Sequence, residues 1–477
     1  MPIRHADQFY IDGVWRASTL ALTRAVVDPA TEDMIGQIAL GGPDDVDLAV
    51  EAARRAFASF SQSSVEERLG LLGRILDLIE QRADLFANAL VMEMGAAIGF
   101  ARATQVHYAI EHVRVAMDVL RSYRFRSLNG TTATAKEPIG VCALITPWNW
   151  PLYQITAKVA PAIAAGCTVV LKPSELSPYS ALLFADVIHD AGVPPGVFNL
   201  VNGTGESVGA ALSAHPQVDM ISITGSTRAG ILVAQSAAPT VKRVVQELGG
   251  KSPNVFLDDA DFAIGVGKGV LAGMRNVGQS CSAPTRMIVP VARLGEVEAL
   301  AAAAAADIQV GDPRAETTTM GPIANEAQYG RVQAMIAAGI AEGAKLVAGG
   351  LGRPAHLSRG YFARPTIFSE VRPDMRIARE EIFGPVLTII PYSDEEEALR
   401  IANDTVYGLG SHVQSADLER ARRFAARIRA GQVHINYPAW DGHAAFGGYK
   451  QSGNGREYGT SGFEEYLETK AIVGYGA

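Results

Sequence analysis

The chain has 477 residues, 48% hydrophobic and 19% charged, a balance that suits a folded protein with room for two or three domains and sizeable cores. Fifty acidic residues against 42 basic ones give a net charge of −8, and with no Lys/Arg run this excludes a nucleic-acid surface. Three cysteines make no disulfide framework, no apolar stretch reaches transmembrane length and the N-terminus lacks a signal-peptide core, so a cytoplasmic protein with no membrane partner is expected.

In chain order, residues 8–40 alternate aromatic or β-branched residues with turn residues, predicting short strands and a hairpin at Asp12-Gly13. From Asp44 the spacing turns helical through Val46, Ala49, Val50, Ala53 and Phe57. A second helix carries Leu69, Leu72, Ile75, Leu76 and Ile79 on one face, and a third runs from Thr104 to Ser122. These helices read as scaffold. The histidines show no metal-ligand spacing, so no metal is expected, and His107 and His112 read as ordinary surface or core residues. Asn129-Gly130 is a hairpin signal within the polar stretch 125–136.

A regular alternation follows. Strand-like runs begin near Val141, Thr168, Val197, Met220 and Arg243, with helical patterns between them. That is the pattern of βαβ units and a parallel sheet covered on both faces, in which ligands bind beyond the carboxyl ends of the strands. Pro147-Trp148-Asn149, Lys172 to Glu175, Gly203 to Gly209, Thr224 to Thr227 and Glu247 all fall at such ends. A second α/β unit shows runs at 286–290, 345–350, 386–391, 410–414 and 432–436, with an Ala-rich helix from about Glu296 to Ala306. The tail closes on a strand-like piece, A-I-V-G-Y.

One stretch holds the candidate chemistry: N-V-G-Q-S-C-S-A-P-T-R, Asn276 to Arg286. A Cys281 thiolate is the strongest side-chain nucleophile near neutral pH if its pKa is lowered or a base stands nearby. Glu247, in Q-E-L-G-G-K-S-P, is a candidate base. Singly, a lone Cys is a small core residue and a lone Glu a solvated charge. Cys142 and Cys167, within or entering strands, read as buried and inert.

These two stretches, with P-W-N-W-P (147–151), L-K-P-S-E (171–175), T-G-S-T (224–227), E-I-F-G-P-V (381–386) and F-G-G-Y-K-Q-S-G-N-G-R-E (446–457), resemble the signature segments of NAD(P)-dependent aldehyde dehydrogenases, in order and across nearly the whole chain. The resemblance implies an α/β fold with a Rossmann-like parallel-sheet NAD domain (1–117 and 138–248), an α/β catalytic domain (249–447) and a small β extension for oligomerisation (118–137 and 448–477), hence a homodimer or homotetramer. It implies Cys281 as nucleophile, Asn149 and the Cys281 N–H as oxyanion donors, and Glu247 as the base that activates water. For the cofactor it implies Gly225 and Ser226 at the pyrophosphate, Trp148 near the phosphates, Lys172 and Glu175 at the adenosine ribose, and Glu381 with Phe383 at the nicotinamide ribose, with Ser174, Gly203 and Leu248 beside them.

A carboxylate at Glu175 repels a 2′-phosphate, so NAD is favoured over NADP, which Lys172 and Ser174 still tolerate. Gly203 to Gly209 has one residue too many for G-x-G-x-x-G, and Ser226 reads equally as a plain helix cap. Trp150, Tyr153, Trp440 and Phe446 match positions that line the family's aldehyde tunnel. Arg275 departs from the aromatic or apolar residue common there, and either reads a distal carboxylate or lies at the tunnel mouth. Ala445 replaces the Pro usual before F-G-G. The alternatives are a relative that passes the acyl group to coenzyme A, and a catalytically silent binding protein. Glu247 speaks against the first, and the intact set of Asn149, Glu247 and Cys281 against the second.

Overall fold

The computed structural model describes residues 3–476. The first two residues and the last, where the predicted division begins and ends, lie outside the described residues. Two large sheets organise the rest. In the first, Phe198–Leu200, Thr168–Lys172, Val141–Ile145, Met220–Thr224 and Arg243–Glu247 lie side by side and parallel. In chain order these are the third, second, first, fourth and fifth strands, the doubly wound arrangement whose connections diverge between the first and the fourth. The inner strands are buried on both faces, as their unbroken apolar runs require. The Gln8–Ile11/Val14–Ala17 hairpin closes one edge antiparallel, through the predicted turn at Asp12 and Gly13, both at positive φ. Gly453–Asn454 closes the other edge.

The second sheet runs Lys345–Ala348, Thr366–Ser369, Val386–Tyr392, Arg286–Pro290, Pro253–Phe256, Gly410–Gln414, Gln432–Ile435, parallel throughout except for the first strand. A three-stranded sheet joins Arg126–Asn129, Thr132–Pro138 and Leu467–Ile472, with Gly130 in the turn at positive φ.

Several elements differ from the sequence reading. Ala83–Met94 is a further helix, separated from Val65–Gln81 only by Arg82 and stopped at Gly95, φ +73°. The strands Pro253–Phe256 and Thr366–Ser369 were not foreseen, being four residues each with no alternation to mark them. The third helix starts at Ile98 rather than Thr104, and residues 101–106 are wound as a π turn. The tail strand is Leu467–Ile472, starting earlier than A-I-V-G-Y. Among the described residues no helix is long and apolar enough to cross a membrane.

Arg286, at the start of its strand, is buried at the heart of the second unit. Its guanidinium donates to the carbonyls of Lys251 (2.8 Å), Ile401 (2.9 Å) and Ala402 (2.9 Å). It thereby ties the segment after Glu247 to the last turn of the helix Glu395–Asn403, where a cation also meets the negative end of the helix dipole. Arg286→Met strands three buried carbonyls. At about 1 kcal/mol each, the expected loss is roughly 3 kcal/mol. It would show as a lower urea midpoint; an unchanged midpoint would refute the role.

Candidate active site

The divergence point of the first sheet opens a cleft of about 150 Å³. From the strand ends come Pro147, Trp148, Asn149, Gly225, Ser226 and Leu248; from the second unit come Cys281, Gln328, Arg331, Glu381 and Phe383. Eight residues singled out in the sequence therefore share one space.

Cys281 follows a turn that is built against backbone preference. Asn276, Val277 and Gly278 are successively left-handed, with φ of 54°, 60° and 68°. Only Gly278 adopts this without strain, and a Cβ there would run into the Gly384 carbonyl. Hydrogen bonds hold the turn. Asn276 Nδ2 donates to the carbonyls of Asn149 (2.8 Å) and Gln279 (3.2 Å), and Gln279 Oε1 accepts from Ala324 N (3.0 Å). Asn149, buried, donates from Nδ2 to the Gln279 carbonyl at 2.9 Å. One of its two amide hydrogens is spent in this way. The other is free for an oxyanion beside Cys281. Gly250 allows close approach, because a Cβ there would strike the Cys281 carbonyl.

Glu247 ends its strand beside Thr224 and Gly453, fully buried, and neither carboxylate oxygen has a hydrogen-bond partner. Gly447 leaves it room: a Cβ there would lie 2.7 Å from Oε1. Burial pushes the Glu247 carboxyl well up, with Glu457 adding to the rise and Lys158 and Arg456 opposing it. Lys158 is itself buried, paired with Glu457 and donating to Ser222 Oγ at 2.8 Å. Burial, then Glu247, Glu381 and Glu457, push the Cys281 thiol up as well.

The remaining cofactor positions fall into two groups. Ser226 caps the helix Thr227–Ala237, accepting from Ala229 N at 3.2 Å, so the cap reading holds while the helix N-terminus faces the cleft. Gly225 is not demanded by packing, since a Cβ there meets only ordinary contacts at 3.8 Å. Glu381 Oε1 accepts from Gly250 N at 2.8 Å, and Phe383 meets Trp148 edge-on at 5.3 Å. Lys172, Ser174, Glu175 and Gly203 lie outside this cleft, beyond the neighbouring strands. Lys172 is buried, donating to the Pro173 carbonyl (2.9 Å), with Glu175 at 3.5 Å and Arg24 4.0 Å from Glu175. Gly203 is a packing glycine, since a Cβ would enter Val208.

The predicted tunnel residues form a continuous aromatic wall. Phe446 stacks on Tyr458 (5.0 Å) within a cluster that also touches Cys281 and Tyr153. The Tyr153 and Tyr458 hydroxyls lie 2.6 Å apart. Trp150 meets Tyr153 and Phe100, and its Nε1 donates to Ser280 Oγ at 2.9 Å. Trp440 stacks on Tyr108 at 4.4 Å. Arg275 is exposed at the outer end, its guanidinium over Phe100 and Tyr108. Phe446 and Glu457 exchange backbone hydrogen bonds at 2.8 and 2.7 Å, so the loop closes with Ala445 in place of Pro. His112 is buried against Tyr153, Trp440 and Tyr458.

Sequence reasoning missed Phe100, Tyr108 and Tyr458 on the wall, and Gln328 and Arg331 in the cleft. Gln328 Nε2 holds the carbonyls of Ile382 (2.9 Å) and Phe383 (2.8 Å), and Arg331 holds that of Glu381 (2.8 Å). Both sit on the helix Glu326–Ala341, where polar residues three apart read as an exposed face; nothing in the sequence marks them.

Comparison with known proteins bears on this arrangement. The model of the aldehyde dehydrogenase family matches residues 15–472. The chain is 56% identical over 474 residues to a 3-succinoylsemialdehyde-pyridine dehydrogenase of a Pseudomonas species, covering 99% of each. It superposes with a TM-score of 0.99 and 67% identity on a mutant of aldehyde dehydrogenase C from Pseudomonas syringae solved with NAD+ and octanal, over 99% of this chain and 98% of that one. An aldehyde dehydrogenase from Bartonella henselae gives a TM-score of 0.96 at 45% identity, covering 98% of both.

The electrostatics give a direction. A raised thiol pKa keeps Cys281 protonated at neutral pH, and the reactive thiolate gains as pH rises. Alkylation of the ligand-free protein by iodoacetamide is therefore expected to keep accelerating above the titration of a free thiol, at about pH 8.5. A plateau below that pH, with Cys281→Ala as the blank, would refute it.

Proposed function

The chain belongs to the aldehyde dehydrogenase family, and on that premise we propose that it oxidises apolar aldehydes to carboxylic acids with NAD, using Cys281, Asn149 and Glu247. The observation that carries this reading is the convergence of a cysteine, an amide hydrogen left free beside it and a buried, unpartnered carboxylate at the end of an aromatic wall.

The Cys281 thiol loses its proton to solvent at the cleft and the thiolate attacks the aldehyde carbon; the oxyanion of the thiohemiacetal takes the free Asn149 N–H and the Cys281 backbone N–H. The cleft suits NAD: Gly225 leaves space that packing does not need, a helix begins at Ser226, and Glu381 and Phe383 lie opposite. NAD, when bound, supplies the hydride acceptor that turns the thiohemiacetal into a thioester. Glu247 then takes a proton from water as it attacks the thioester, releasing the acid. A carboxyl whose pKa is raised by burial is a stronger base for that step than an exposed one.

Glu175 supports NAD over NADP, and the aromatic wall supports an apolar substrate with a chain or ring. Arg275, already engaged by two aromatic faces, fits a tunnel-mouth role better than an anion site. Of the relatives' aldehydes, octanal carries an alkyl chain and 3-succinoylsemialdehyde-pyridine a ring. The proposal keeps the three-part division, with the sheet of 126–138 and 467–472 as the oligomerisation extension of a dimer or tetramer. Leu128 (60%) and Val473 (82%) are exposed beside its edges. Three free cysteines suit a reducing cytoplasm.

A panel of aliphatic, aromatic and carboxylate-bearing aldehydes, followed at the NADH absorbance, tests the reading. Cys281→Ala should abolish turnover, and Asn149→Ala should lower kcat about 10²–10³-fold. Glu247→Gln should give an NADH burst followed by slow turnover as thioester accumulates. An acyl-CoA product in the presence of coenzyme A would overturn the hydrolytic step. Glu175→Gln should narrow the NAD-over-NADP preference about tenfold, some 1.4 kcal/mol.

A further inference from the structure

We propose that Gln105 is a positioning residue for the reaction: from the π turn of the helix Ile98–Ser122 its carboxamide fixes Asn276, and through Asn276 both Asn149 and the backbone leading to Cys281. This rests on the roles proposed above for Cys281 and Asn149.

A π turn is rare and frequently found at functional sites. Here it presents two consecutive residues to two consecutive residues of the strained turn. Gln105 Nε2 donates to Asn276 Oδ1 at 3.2 Å, and Arg275 Nη2 lies 3.4 Å from Thr104 Oγ1. Gln105 is fully buried, and its own Oε1 has no partner. A residue kept only to fill space would be Leu or Met, because an orphaned buried carbonyl costs stability. What Gln105 supplies that Leu cannot is the N–H.

That N–H completes the set of partners that holds the Asn276 amide one way round. An amide can sit either way round, and the choice is made by its partners. With Oδ1 turned to Gln105, Nδ2 faces the carbonyls of Asn149 and Gln279. The Gln279 carbonyl is also the acceptor that aims Asn149 Nδ2. Without a donor at position 105, Asn276 Oδ1 is buried unpartnered. Either the amide turns and sets an oxygen against two carbonyls, or the left-handed turn relaxes. Both outcomes move the oxyanion donor and the segment two residues before Cys281.

Two variants test this. Gln105→Met keeps the volume and removes the donor. Gln105→Glu keeps the shape and donates to Asn276 Oδ1 only while protonated, a form that burial favours. For Gln105→Met, kcat should fall about tenfold or more while KM for NAD stays within about twofold, since small misplacements act on the chemical step. For Gln105→Glu, the ratio of its kcat to that of the wild type should fall as pH rises through the new carboxyl's titration. A filler role predicts that ionisation lowers the amount of folded protein, while kcat per folded molecule keeps a constant ratio to that of the wild type. Thermal unfolding confirms that each variant is folded, and if Gln105→Met is not, the pH dependence of Gln105→Glu decides alone. A flat ratio, or wild-type kcat in Gln105→Met, overturns the proposal. If turnover survives complete alkylation of Cys281 in the wild type, the functional reading falls and this one with it. If alkylation abolishes turnover but Gln105→Met is fully active, this one alone falls.

Discussion

Burial of several acids around one sulfur sets the terms for everything else in this molecule. Glu247, Glu381 and Glu457 all bear on the Cys281 thiol, and Glu457 bears on Glu247, with Glu247 and Glu457 themselves buried. Each negative charge there disfavours the next. Two cations nearby temper this repulsion. Lys158 pairs with Glu457, and Lys158 and Arg456 both favour the ionised form of Glu247. The thiol and the carboxyl are thus left without a permanent counter-ion, so their protons remain mobile and are not locked into an ion pair.

Such a site needs rigid walls, and the two sheets supply them differently. The first sheet contributes the ends of strands whose register is fixed by complete burial. Ile145 sits opposite Lys172 and Ile223, and Thr224 opposite Glu247, so Asn149, Gly225 and Glu247 emerge at one level. The second contributes loops fixed by hydrogen bonds to backbone: Gln328 and Arg331 for Glu381 to Phe383, Arg286 for the segment at Lys251, Asn276 for the cysteine turn. A strand end needs only its neighbours' register. A loop needs a polar group placed against its backbone, and such groups are unrecognisable until the chain is folded.

That difference explains what could be read in advance. The five parallel strands around Val141 to Glu247 were legible because burial on both faces writes a continuous apolar run, and their ends announced where ligands would gather. Cys281, Glu247 and Asn149 were legible through the company of motifs, not through their own residue types. The strands Pro253–Phe256 and Thr366–Ser369 escaped because four buried residues carry no period. Ala83–Met94 escaped because one residue separates it from the helix before. Gln328 and Arg331 look like any solvated helix face, and the π turn at 101–106 has no signature in composition, being a response to the turn it grips.

The cleft draws its walls from both halves of the chain, Gly225 and Leu248 from one sheet, Cys281 and Phe383 from around the other. No unfolded chain brings those residues together, so a molecule bound there belongs to the native state alone. At a free concentration one hundred times its dissociation constant, it adds about 2.7 kcal/mol to the work of unfolding. The cofactor is then also a clasp between the two sheets. Where its supply falls, the chain gives up part of its resistance to unfolding together with its turnover.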